Sequence, residues 1–335
     1  MSKPLSSFVV SVALAFGTTG LAAATEVPVA TWGSPNHINV ASFVGKLSEA
    51  LAEQSGGAMT VRHYPSGQLA EDADMPIAIP TGKVKFGWVS LNGWSGVTPD
   101  VKIADAPTGL TMQQMEAATD GPDGIKAVLD AQLRERGMRL LAVTNLGPTV
   151  FVTNELAVAP SDFEGMKIRV YSEGTAQLVQ ALGAAPVKLP FADVYTALQR
   201  GTVEGAITGF QGVASQKMYE VASNVLVAGS FPGTGYQAWV ANAGWLEGLS
   251  DGERRAFEAA VREAELYSRA EILADRAQLA DLYRAKGMTV TELTPDMPEY
   301  AAWVEATRPL MEAAEASLSP AVVAPVKAAQ QAATD

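Results

Sequence analysis

Arg169 is the residue of this sequence best placed to hold an anion. It ends the block Pro160-Ser-Asp-Phe-Glu-Gly-Met-Lys-Ile-Arg-Val170, in which a loop with Ser161 and Asp162 passes through Gly165 into a strand-like run. On that run Met166, Ile168 and Val170 alternate with Lys167 and Arg169, so one face is core and Arg169 points to the other. Near the carboxyl end of a strand in an open α/β sheet, a guanidinium can clamp a carboxylate with two parallel N–H···O bonds. The same spacing fits an arginine paired with an acid at a lobe surface, and the pattern leaves both readings open.

Further groups come from two segments that should lie at strand ends, Trp32 to His37 and Trp88 to Asn92. Trp88 could wall a cleft or simply fill a core, and Trp32 stands beside it as a candidate. Ser90 could bond a ligand hydroxyl, and His37 could line the site or cap a helix. Trp94, Phe210 and Trp239 are further aromatic candidates. Catalytic signatures are missing: there is no Gly-x-Ser-x-Gly and no Gly-x4-Gly-Lys-Ser/Thr loop. Acidic pairs such as Glu71 and Asp72 read as solvated surface on a chain of net charge −12. With no cysteine, thiol chemistry and cysteine-ligated metals are excluded. His37 and His63 fit no standard metal spacing, so no metal and no cofactor is expected. The negative charge also argues against a nucleic-acid partner. These residues point to a binding protein and not to an enzyme.

The elements that must position these groups are legible as alternating short strands and amphipathic helices. Val27 to Trp32, Met59 to Tyr64 and Val84 to Val89 read as strands. Between them lie a helix from Val40 to Gln54, stopped by Gly56 and Gly57, and a short one from Glu71 to Ile79. That order implies a parallel sheet covered by helices. Arg139 to Val143 and Thr149 to Thr153 look like successive strands, and β/α alternation continues to a strand from Tyr236 to Ala241. From Ser250 to Lys286 no proline intervenes, and Gly287 closes the run, so one helix of about 50 Å should lie across two lobes. The tail from Pro320 onward, rich in alanine and proline, is expected to fray. The fold class is therefore α/β, two sheets flanked by helices with a cleft between them.

At the start, Met1 to Lys3, the apolar run Phe8 to Phe16 and Ala22-Ala-Ala24 read as a secretory leader cleaved near Ala24. No later stretch is apolar enough to span a bilayer.

Four ordered blocks resemble the substrate-binding proteins of tripartite ATP-independent periplasmic (TRAP) transporters, over nearly the whole mature chain. They are Gly56-Gly57 with Tyr64-Pro-Ser-Gly-Gln-Leu69; Asp162 to Val170; Phe191-Ala-Asp-Val-Tyr-Thr-Ala-Leu-Gln-Arg-Gly-Thr-Val-Glu-Gly205; and Asn242-Ala-Gly-Trp245. The resemblance implies a two-lobed periplasmic binding protein of the type II-like kind, a cleft that closes on a hinge, and a long helix spanning both lobes. It implies residues 25–146 with 234–274 in the first lobe and 147–233 with 275–335 in the second, after a signal peptide of residues 1–24. It also implies that Arg169 holds the ligand carboxylate, that Phe191 packs against the ligand, and that Thr208 stands where many members place a polar contact. Thr149 stands where sialic-acid-binding members carry a second arginine, which argues against that ligand. The implied partners are a small organic anion (a carboxylate, keto acid or sulfonate) and the membrane permease subunits of a TRAP transporter. The protein would act as a periplasmic monomer. A ligand sensor for a membrane receptor, or an enzyme on the same scaffold, are the alternatives.

Overall fold

The computed structural model describes residues 24–145, 148–233 and 235–332. The leader read in the sequence lies outside them except for Ala24. In chain order the strands are β1 (Thr25–Thr31), β2 (Met59–Tyr64), β3 (Phe86–Ser90), β4 (Met138–Asn145), β5 (Thr149–Thr153), β6 (Lys167–Val170), β7 (Ala185–Lys188), β8 (Gly205–Gly209), β9 (Asn224–Val227), β10 (Tyr236–Asn242) and β11 (Thr289–Glu292). The helices are α1 (Ile38–Gln54), α2 (Met75–Ala78), α3 (Met112–Thr119), α4 (Ile125–Arg134), α5 (Glu173–Ala181), α6 (Val194–Gln199), α7 (Phe210–Ser215), α8 (Ala243–Glu247), α9 (Asp251–Ala285), α10 (Pro298–Ser317) and α11 (Pro320–Ala332).

The strands form two sheets, ordered β2-β1-β3-β10-β4 and β11-β9-β5-β8-β6-β7. Neither is purely parallel. β10 runs antiparallel to β3 and β4, and β5 runs antiparallel to β8 and β9. Each is the strand that has just crossed from the other sheet, so it enters reversed. The read-out of a simple parallel sheet is corrected accordingly, and the adjacent runs β4 and β5 prove to belong to different sheets. Both faces of each sheet are covered. On the first, Val27, Val29, Phe86 and Trp239 pack under α1 and the first half of α9. Its opposite face carries Val89, Val240, Ile79 and Leu129. On the second, Val150 and Val152 face Leu198 and Tyr283, while Phe151 faces Ile168, Leu178 and Trp303. The period-2 alternation along β5 thus feeds two separate cores.

α9 begins in a capping box: Ser250 accepts from the Glu253 N–H (3.3 Å), and Glu253 accepts from the Ser250 N–H (3.0 Å). It ends before Gly287, whose φ of +90° a side chain would resist. Its first half buries Ala256, Phe257, Ala260, Val261 and Ala264 in the first lobe, and Tyr283 near its end is core of the second. Glu265, fully buried, ties it down: Lys126 (3.0 Å), Arg262 (2.5 Å), Arg269 (3.1 Å) and the Val143 N–H (2.8 Å) all converge on its carboxylate. Arg269 in turn grips Asp120 with two nitrogens, at 2.8 and 3.2 Å.

The tail differs from expectation. Residues from Pro320 form α11 rather than fraying, because Val322, Val323 and Val326 share one helical face and seal the core beside α3 and α4. Its entry is fixed by Asp100, which accepts from the Ser319 N–H at 2.8 Å. The last helix therefore packs on the first lobe, not the second to which residues 275–335 were assigned.

Candidate functional site

The strand β6 exposes Lys167 at its start and buries Arg169, 4% exposed, two residues on. Ile168 and Val170 point into the core, as the alternation requires. The Arg169 Nε donates to the Leu189 carbonyl (3.1 Å) and Nη1 to that of Ile207 (3.0 Å). Its guanidinium carbon lies 5.8 Å from the Tyr171 ring centre and 5.9 Å from that of Phe191. Among the described residues no carboxylate comes within ion-pair distance of it. Burial pushes its pKa below the ordinary guanidinium range, which is the mark of a desolvated cation. The backbone carbonyls align the fork and leave its charge uncompensated.

Phe191, in the short turn before α6, is the most exposed of the neighbours at 38%. Thr208 is buried on β8, opposite Val150. A Cβ at position 212 would come within 2.6 Å of the Thr208 hydroxyl and 3.3 Å of the Phe191 ring, so only glycine lets α7 approach them. Thr149, buried opposite Gly209, stands beside the Tyr171 phenol. Arg169, Phe191, Thr208 and Thr149 are therefore brought together in the second lobe, with Tyr171 added. Tyr171 shares the parity of Arg169, a signal that the sequence carried.

In the first lobe Trp32 stacks on Trp88, with centroids 4.5 Å apart and planes 8° apart, and His37 leans on Trp88 at 5.1 Å. Gly33 permits this, since a Cβ there would lie 2.7 Å from the Trp88 ring. His37 caps α1, accepting from the Asn39 N–H, and burial lowers its pKa. Ser90 donates to Gln237 (3.3 Å), while its N–H donates to Asp72 (2.9 Å). Other candidates are core. Phe210 packs edge-on against Tyr283 inside the second lobe, Trp239 stacks on Phe43 at 3.8 Å, and Trp94 is buried among the first-lobe hydrophobics. Trp88 is itself wholly buried and partly a core residue.

Asp105, which no motif announced, links the lobes. Its carboxylate accepts from Asn92 and faces Ser172, the cap of α5, with Gly174 packed against its Cβ. Burial raises its pKa to about 6, against the opposing effect of Asn92 and Ser172. Burial and Asp105 together push the Tyr171 phenol upward. A cavity of about 340 Å³ lies between the lobes on this side, walled by Asn92, Lys102, Asp105, Gln177, Phe231 and Leu310; neither Arg169 nor Phe191 lines it. A raised carboxyl pKa favours the folded, docked state most below pH 3.8, and that benefit fades as pH rises through 6. Asp105→Asn should therefore be more stable than the wild type at pH 7 and match it near pH 4. Urea titrations at both values check this, and equal wild-type and variant midpoints at pH 7 would count against it.

Two helix-flanked mixed sheets traversed by one long helix, with a buried arginine in the second that meets no carboxylate among the described residues, define a two-lobed solute receptor. The match to known proteins gives the same answer. Residues 29–317 fit the family model for bacterial extracellular solute-binding proteins, family 7, and the chain belongs to that family, the substrate-binding proteins of TRAP transporters. It is 27% identical over 309 residues to the C4-dicarboxylate-binding periplasmic protein DctP of Shewanella loihica, covering 87% of this chain and 89% of that one. Among solved structures, a TRAP periplasmic solute-binding protein from Ochrobactrum anthropi is similar with a TM-score of 0.85 at 27% identity, covering 93% of this chain and 96% of the other. One from Shewanella oneidensis with bound succinate gives 0.77 at 25% identity, covering 92% and 99%.

Proposed function

We propose that the protein captures a small organic anion between its lobes, outside the cytoplasmic membrane, and hands it to the permease subunits of a TRAP transporter without chemically altering it. The observation that carries this reading is Arg169, a cation buried to 4% exposure with no acid beside it among the described residues. Such a charge is costly to an empty protein and is offset when a ligand carboxylate completes the fork. Phe191, Thr208 and Tyr171 would shape the pocket around that carboxylate, with Trp32, Trp88, His37 and Ser90 as the facing first-lobe wall. The relatives named for C4-dicarboxylate and solved with succinate support a small acid as the ligand class. The mature protein is proposed to begin at Thr25, where β1 starts and its hydroxyl bonds Glu253 at 2.6 Å, and to work as a monomer.

The test uses protein recovered from the periplasm, its start at Thr25 checked by mass spectrometry and its monomeric state by light scattering. It is screened by thermal shift against organic acids, keto acids and sulfonates. A true ligand at a hundred times its Kd should stabilise the protein by about 2.7 kcal/mol. A panel in which no anion moves the transition would remove the reading.

A further inference from the structure

Both lobes carry a buried primary amide that makes no hydrogen bond of normal geometry among the described residues. Asn39, the second residue of α1, is fully buried, and neither its Nδ2 nor its Oδ1 has a hydrogen-bond partner. Gln211, the second residue of α7, likewise has both amide atoms buried and unpartnered. Thr144, fully buried at the end of β4, adds an unpartnered hydroxyl. Such groups are uncommon because an unmade buried hydrogen bond is costly.

Their placement is not random. One turn beyond Asn39, Ser42 bonds Ser268 on α9 at 2.8 Å. Gln211 reaches the same helix beside Asp275, approaching its carboxyl without closing a normal hydrogen bond. Ser268 and Asp275 are two turns apart, about 10 Å along the axis. The residue after Gln211 is Gly212, packed on Thr208 and Phe191, and Thr208 follows the Ile207 carbonyl that holds Arg169. The two amides thus belong to opposite lobes beside one helix, and Gln211 adjoins the glycine that packs on Thr208 and Phe191.

We infer that Asn39 and Gln211 are specificity residues that complete their hydrogen bonds on a neutral group of the ligand, so that the ligand is a monocarboxylate bearing a hydroxyl, keto or amide group. This rests on the reading of Arg169 as the carboxylate clamp. Primary amides both donate and accept, which matches a hydroxyl, a carbonyl or a lactam. They supply no charge for a second carboxylate. Asp275 beside Gln211, and Asp105 on the far side of Tyr171, would repel one. The other buried arginine among the described residues, Arg269, is already matched by Glu265 and Asp120.

Calorimetric titration against matched acids tests the assignment: propionate with lactate and pyruvate, valerate with pyroglutamate, and succinate and glutarate as dicarboxylates. The wild type should bind at least one hydroxy, keto or amide acid about tenfold or more tighter than its plain counterpart and than either dicarboxylate. Asn39→Leu and Gln211→Met should each reduce that preference to about threefold or less and leave the plain acid's Kd little changed. The ligand-free melting temperature of Asn39→Leu should hold or rise, because an orphaned polar group is gone. If Asn39→Leu fails to fold, Gln211→Met carries the test. Undiminished discrimination in the variants, or a wild-type preference for succinate or glutarate, overturns the inference while acid binding that depends on Arg169 leaves the wider reading standing. Failure of every acid to bind the wild type overturns both.

Discussion

Arg169→Ala should weaken binding of the best organic acid by roughly 30-fold or more, the equivalent of at least the lower end of the about 2–5 kcal/mol lost when one partner of a buried charge pair is truncated. The protein carries a net charge of −12, so its overall field repels an anion, and the attraction must be local. Arg169 supplies it from a site where neighbouring rings and backbone carbonyls exclude water and fix the fork. Arg169→Lys should recover only part of the affinity, since an ammonium keeps the charge and loses the bidentate geometry. The ligand-free fold should survive, because burying an uncompensated cation is a cost that its removal relieves. Calorimetric titration alongside circular dichroism separates these effects. Wild-type affinity in a folded Arg169→Ala protein would place the anion elsewhere.

Glu265→Ala should destabilise the protein by about 3–5 kcal/mol, the range for breaking a buried ion pair from one side. Glu265 has no exposure and answers Lys126, Arg262 and Arg269 at once, along with the Val143 N–H. Removing it leaves Arg269 buried with Asp120 and the Val143 carbonyl. Glu265→Gln, which keeps the acceptor and loses the charge, should fall between. Urea denaturation reads the loss as a lower midpoint at constant slope. A midpoint unchanged by Glu265→Ala would show the cluster to be dispensable.

Local signals carried far along this chain. Met59 to Tyr64 and Thr149 to Thr153 are strands with the bounds read from the sequence, and the proline-free run after Ser250 is one helix. Arg169 was visible because a strand's two-residue period separates its face from that of Ile168. What stayed hidden depends on contacts distant in sequence. The reversal of β10 is decided by its return from the other sheet to a place between β3 and β4, and no residue within Tyr236 to Asn242 encodes it. Pro320 and Pro325 suggested a frayed tail, but the valine face between and after them finds a first-lobe core to cover. Asp105 ends a short 3-10 helix, Pro99–Asp105, with no amphipathic pattern to mark it, and its meaning comes from Asn92 nearby and from Ser172 and Gly174 across the lobe boundary. Phe210 is an aromatic candidate in the sequence, yet Tyr283, more than seventy residues later, claims its ring.

The helix from Asp251 to Ala285 contributes its first turns to one hydrophobic core and its last to another, without a break. A lobe cannot melt alone without either unwinding a helix its neighbour requires or leaving half of that helix bare in water. The chain crosses the boundary again between β4 and β5, between β9 and β10, and between α10 and α11, so neither lobe is a contiguous stretch that could be inherited or duplicated by itself. The two lobes therefore make one unit of folding, and a single exchange in the loops at the cleft is the kind of change that disturbs neither core.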